Sequence, residues 1–283
     1  MARLAAGTGF KEAEPDRQNP LKQGIKAANA AKVRAGQLYD ARHVPRCPLE
    51  CALGRWGCER MGLSDESARP RWTRVHFCHG LESGPYGFKF RKLSESFSTV
   101  SSPDMQMSLW NPLQCNSLAR NILRLRSPAE ALADSFEACV EVQRQALQAS
   151  AAPPDVLVGS SWGGAVAAAL LAAGVWSGPC VLMCPALHLR ERWAGEPSSR
   201  PHLTSVVISA GLAALPAAAK AQCLIVHGTA DATVPVEDSR ALAAATGIPL
   251  LEVEGGNHGL GDYTASGGLR ASIVSLLATR TAR

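Results

Sequence analysis

Asp155-Val156-Leu157-Val158-Gly159-Ser160-Ser161-Trp162-Gly163-Gly164, continuing at once into an Ala- and Leu-rich run that reaches Ala173, is the stretch on which the architecture of this chain turns. Asp155 to Val158 read as a buried strand, and the Ala-rich run reads as a helix. Gly159 to Gly163 form Gly-x-Ser-x-Gly between them, in the strand-to-helix setting where such a turn lifts one serine hydroxyl above the end of a sheet. Ser161 is therefore the candidate nucleophile. Gly159 and Gly163 fit because so tight a turn brings backbones together and leaves no room for a Cβ at either place. Ser160 lacks the flanking glycines and reads as a bystander.

Toward the N-terminus, Thr73 to Cys78 read as a strand that ends in His79-Gly80-Leu81-Glu82-Ser83-Gly84-Pro85-Tyr86-Gly87, a glycine-rich loop leading into a short basic helix from about Lys89 to Ser96. A loop of that kind can turn a backbone N–H toward a reacting carbonyl, so the N–H groups of Leu81 and Trp162 are the expected oxyanion hole. Phe97 to Ser102 read as a second strand. Residues 104–126 then exceed the usual length of such a connection and carry Met105, Met107 and Trp110, either as a packed surface loop or as one wall of an apolar substrate pocket. Ser127-Pro128-Ala129-Glu130 combine a cap serine, a proline at the first helical position and a glutamate at the third, and start a helix that runs to about Ala149.

Beyond the serine turn, Cys180 to Cys184, Cys223 to His227 and Leu250 to Val253 are three more short apolar runs suited to strands. Helical periods cover about Leu203 to Leu215 and Val236 to Thr246. Leu269, Ile273, Leu276 and Leu277 mark an amphipathic helix at the C-terminus. Six strands alternating with helices predict an α/β domain: a mainly parallel sheet covered on both faces, in three layers. The connection between Cys184 and Cys223 is too short for a large lid. In such sheets ligands sit at the carboxyl ends of the strands, and Leu81, Ser161, Asp231 and His258 each follow one.

The chain has 283 residues and a formal charge of +5, unevenly placed. Residues 1–46 hold nine Lys/Arg against four Asp/Glu, whereas residues 72–283 hold sixteen of each, so the excess belongs to the N-terminal part and does not mark the remainder as a nucleic-acid binder. Residues 1–70 lack a strong apolar period and read as a flexible N-terminal extension, with residues 71–283 as the folded domain. Nine scattered cysteines, several inside expected strands, fit a reducing compartment. With no apolar core in the first 30 residues, the expected location is cytoplasmic, with an organelle as the second option because the extension is basic. No run is long and apolar enough for a membrane span. His43, Cys47, Cys51 and Cys58 are zinc-ligand types, but their spacing matches none of the paired forms, and no metal is expected.

A serine hydroxyl needs a base to take its proton as it attacks, and an imidazole in that role needs a carboxylate to hold its tautomer. Of seven histidines only His258, in Gly255-Gly256-Asn257-His258-Gly259, lies beyond Asp231. Among the acids between Ser161 and His258, Asp231 alone follows a buried strand directly. His79 and His227, each preceding a glycine at a strand end, read as loop-orienting groups rather than bases. Taken together, His79-Gly80, Gly159 to Gly163, His227 to Pro235 and Gly256-Asn257-His258 resemble the α/β-hydrolase superfamily. The phrase from His79 to Lys89 more narrowly resembles small, lid-poor, single-domain serine esterases. The resemblance covers residues 72–280 or so, and it implies hydrolysis of a small-molecule carboxylic ester or thioester through an acyl-enzyme on Ser161, without a cofactor. A catalytically silent ligand-binding member of the fold is the alternative, and a serine peptidase is a weaker one for want of an accessory domain. The first two strands of the fuller superfamily pattern are missing before His79-Gly80, and residues 1–70 resemble nothing in it.

Overall fold

The computed structural model describes residues 73–81, 84–106, 128–194 and 201–281. The expected extension, with His43, Cys47, Cys51 and Cys58, lies outside the described residues, as do Met107 and Trp110.

Strands β1 (Arg74–Cys78), β2 (Thr99–Ser101), β3 (Val156–Ser160), β4 (Cys180–Met183), β5 (Cys223–Gly228) and β6 (Leu250–Val253) form one parallel sheet in the order β2-β1-β3-β4-β5-β6. The chain steps outward from β1 to β2 and then crosses back to lay β3 on the other side of β1. That reversal opens a crevice between the carboxyl ends of β1 and β3, the usual ligand position in an open parallel sheet. The register Cys78↔Gly159 brings the His79 loop and the Ser161 turn out of the sheet side by side.

The helices are α1 (Phe88–Ser96), α2 (Pro128–Ala149), α3 (Trp162–Ala172), α4 (Leu189–Ala194), α5 (Ser205–Ala213), α6 (Ala217–Lys220), α7 (Val236–Thr246), α8 (Gly261–Ala265) and α9 (Gly268–Thr281). Alternate strand residues point to opposite faces, and this divides the core in two. Val75, Phe77, Val156, Val158 and Val181 pack with Leu93 of α1 and with Leu269, Ile273 and Leu276 of α9. Leu157, Leu182 and Ile225 pack with residues of α2, α3, α5 and α7 on the other face. Every residue of α3 from Trp162 to Leu171 is buried, so this helix lies within the core rather than on it.

The expected helix over Leu203 to Leu215 is α5 (Ser205–Ala213), preceded by a separate 3₁₀ turn (Pro201–Leu203). Thr204 sets where α5 begins: its backbone is extended and its hydroxyl accepts the Val207 N–H at 3.3 Å as the N-cap of the helix. Upstream, Arg190 of α4 is buried, with its guanidinium 3.8 Å from the centre of the Phe136 ring and donating to the Leu203 carbonyl. Burial lowers its pKa to about 10. The Glu191 carboxylate accepts the Ser205 N–H at 2.9 Å, so α4 is tied to the start of α5 by both residues.

Candidate active site

Ser161 has φ 57° and ψ −117°, a left-handed conformation that a residue with a Cβ adopts at a cost of about 1–3 kcal/mol. The surroundings enforce it. Its N–H donates to the Met183 carbonyl at 2.8 Å, and its own carbonyl accepts from the N–H groups of Ala165 and Ala186, both at 3.1 Å. A Cβ on Gly163 would overlap the backbone carbonyls of Cys78 and His79, and one on Gly159 would overlap the Gly163 carbonyl and lie 2.8 Å from the Ala167 methyl. Both obstacles at Gly163 are backbone, which cannot rotate aside. Ser160 ends β3 and is buried.

Asp231 and His258 reach the serine from loops that are stitched together. Thr229 N–H donates to the Val253 carbonyl at 3.0 Å, Ala230 N–H to the Gly256 carbonyl at 2.9 Å, and Gly255 N–H to the Thr229 hydroxyl at 2.8 Å. Gly228 permits this approach, since a Cβ there would overlap the Gly256 carbonyl. His258 Nδ1 lies 2.7 Å from Asp231 Oδ2, and Nε2 lies 2.8 Å from Ser161 Oγ. A carboxylate only accepts, so Nδ1 is the donor and Nε2 is left to accept the serine proton. The Asp231 side chain has no exposed surface, while His258 is 24% exposed toward the cleft.

Burial by itself would raise the pKa of Asp231. Hydrogen bonds from His227, His258 and the Val234 N–H outweigh it and hold the carboxyl well below the usual carboxylate range. Oδ1 also accepts the Thr233 and Val234 N–H groups at 2.8 and 2.9 Å. Lys89, in the first turn of α1, has its pKa lowered by burial, an effect that nearby Cys184 and Asp231 oppose.

His79 is fully buried, with Nδ1 donating to the Gly80 carbonyl at 2.8 Å and Nε2 accepting the Met105 N–H at 3.0 Å. Both ring nitrogens are occupied, so the ring orients its loop and has no lone pair left to act as a base. Met105 is 2% exposed and packs in one cluster with Leu81 and Trp162. The Trp162 ring meets Phe136 edge-on at 5.3 Å, and its indole N–H faces the Cys139 sulfur at 3.5 Å. The backbone N–H of Trp162 stands in the first turn of α3, where no carbonyl of the helix can accept it.

Among the described residues, one set of potential metal ligands occurs: Cys184, Asp231 and His258, with ligand atoms within 4.8 Å of one another. Asp231 and His258 are joined by the 2.7 Å hydrogen bond, and burial pushes the Cys184 thiol up to about 12.

Sequence reasoning missed two partners of Asp231. His227 Nε2 lies 3.1 Å from Asp231 Oδ2, and Cys184 approaches from the end of β4 with φ 43°. The signal for His227 was its place at the end of the strand, four positions before the aspartate.

A parallel sheet whose switch-point crevice receives a strained serine turn, with loops carrying an acid and a histidine converging on it, has the α/β-hydrolase fold. Residues 101–266 match the model of the uncharacterised protein family UPF0227, and the chain belongs to that family. Similar solved structures include TT1662 from Thermus thermophilus, at 17% identity and a TM-score of 0.52 over 73% of this chain and 90% of that one. They also include an alpha/beta-superfamily protein from Xanthomonas campestris pv. campestris, at 24% identity and 0.47 over 73% and 98%. A third is the thermophilic esterase Est2 from the planctomycete Thermogutta terrifontis, at 21% and 0.46 over 76% and 85%. No curated protein matches the sequence.

Proposed function

We propose that the protein is a serine hydrolase that cleaves small-molecule carboxylic esters or thioesters through an acyl-enzyme on Ser161. The observation that carries this reading is the unbroken chain Ser161 Oγ to His258 Nε2 at 2.8 Å and His258 Nδ1 to Asp231 Oδ2 at 2.7 Å, ending on a carboxylate held as the anion.

In the first half-reaction Ser161 Oγ attacks the acyl carbon while His258 Nε2 takes its proton, and Asp231 stabilises the imidazolium. The oxyanion faces the N–H groups of Trp162 and Leu81. His258 then gives its proton to the departing alcohol or thiol. In the second half-reaction it deprotonates the water that attacks the acyl-enzyme, and the serine leaves with the proton. None of these steps requires a cofactor.

A fluorophosphonate should label the protein at Ser161, and p-nitrophenyl esters should be hydrolysed. Ser161→Ala should abolish labelling and lower kcat by about 10⁴-fold or more, whereas Ser160→Ala should change it little. A protein that neither labels nor turns over aryl esters or acyl thioesters would be a silent ligand-binding member of the fold, and full turnover by Ser161→Ala would exclude the mechanism.

A further inference from the structure

Asp231 carries two histidines. The His227 ring, at the end of β5, is fully buried. Its Nε2 lies 2.9 Å from the Val234 carbonyl and 3.1 Å from Asp231 Oδ2. Both oxygens can only accept, so Nε2 bears the proton. On the other side of the ring, Nδ1 lies 2.7 Å from Ser239 Oγ of α7 and accepts that hydroxyl's hydrogen. A neutral imidazole has one N–H and one lone pair, and here both are committed. The carboxylate oxygen that His227 approaches is the same Oδ2 that takes the Nδ1–H of His258. The other charged or titratable groups facing this arrangement are Lys89 from α1 and Cys184 from the end of β4, both toward Asp231, and Glu252 of β6 toward His227. Glu252 is itself held by Arg240 at 2.6 Å.

We propose that His227, with its tautomer fixed by Ser239, is a positioning residue that holds Asp231 and limits how strongly this carboxylate attracts the proton on His258. The proposal rests on the reading of Ser161, His258 and Asp231 as the catalytic triad. A hydrogen bond donated to Oδ2 draws off negative charge that would otherwise stabilise the imidazolium. Without it, Asp231 would be a stronger but less fixed partner, and His258 would stay protonated to higher pH, where it cannot serve as the base. A histidine that merely filled space in the core would leave that balance untouched.

The test compares His227→Leu, which removes the donor, with His227→Gln, which keeps an amide N–H at the position of Nε2. In His227→Leu the acid limb of kcat/KM should move upward by about half to one pH unit and kcat should fall about ten-fold, while His227→Gln should keep the limb within about 0.2 unit of the wild-type protein. Equal limbs in all three proteins, or a downward shift in His227→Leu, would overturn the proposal.

A second measurement needs neither turnover nor a folded leucine variant. In Ser161→Ala protein with ¹⁵N-labelled histidine, NMR near pH 7 should show the His227 proton on Nε2, with Nδ1 a bare acceptor. A proton on Nδ1 would sink the idea. Because this spectrum is read in a protein without the nucleophile, a failed triad reading would appear separately, as ester turnover that survives the loss of Ser161.

Discussion

Asp231 is a buried carboxylate kept charged by its donors, and that has a consequence for stability as well as for chemistry. Its pKa is lowered in the folded protein because the bonds from His227, His258 and Val234 N–H outweigh the opposing effect of burial. A group whose pKa falls on folding stabilises the native state above its unfolded value, about 3.9 for aspartate, and loses that contribution as the pH drops toward its folded value. Asp231→Asn should therefore be less stable than the wild-type protein near neutral pH, and the gap in Tm should close as the pH is lowered below about 4. A gap of constant size from pH 7 to pH 3 would mean that the charge of Asp231 contributes nothing to folding. At this scale the sequence is readable where the backbone excludes a side chain. Gly159 and Gly163 stand where a Cβ would overlap neighbouring chain, and the serine between them was identifiable for that reason. His227 was marked only by its place at the strand end four positions before Asp231; the partner itself was not readable, because a histidine before a glycine looks the same whether its ring meets a carbonyl, a carboxylate or an apolar neighbour.

Whole elements were legible in proportion to how strongly their ends are marked. The Ser127-Pro128 start places α2 at Pro128–Ala149, and Gly247, left-handed at φ 74°, stops α7 after Thr246. β6 (Leu250–Val253) coincides with its apolar run. Short helices carry too few residues to establish a period, so α4, α6 and α8 went unseen, whereas α5 starts within two residues of its expected place, where Thr204 caps it. That cap is itself testable. Thr204→Ala removes the acceptor for the Val207 N–H, a bond on the exposed side of α5, without touching the core. The loss should be about 1 kcal/mol, read as a lower urea midpoint with an unchanged m-value. Ester hydrolysis should stay at the wild-type level, since the hydrogen bonds that hold Ser161, Asp231 and His258 come from other elements. An unchanged midpoint would show that the 3₁₀ turn and α5 hold their geometry without the cap.

At the scale of the whole molecule, both faces of the sheet are covered by residues from Val75 onward, through α1 and α9 on one side and α2, α3, α5 and α7 on the other. The first described strand is anchored within the same unit: the Asp155 carboxylate accepts the Arg74 N–H at 2.8 Å, and β1 lies between β2 and β3. The formal charge divides at about the same place, since residues 72–283 hold sixteen Lys/Arg and sixteen Asp/Glu and the net +5 belongs to what precedes them. We therefore expect a chain beginning at Arg71 to fold cooperatively and to keep the kcat/KM of the full chain within a few-fold. Its retention on a cation exchanger at low salt should fall, because the excess positive charge has been removed. Insolubility of the shortened chain, or loss of its thermal transition, would make residues 1–70 part of the fold. A large change in kcat/KM with folding intact would instead place that segment at the substrate, and comparing the two chains on short and long acyl esters would show whether it meets the acyl group.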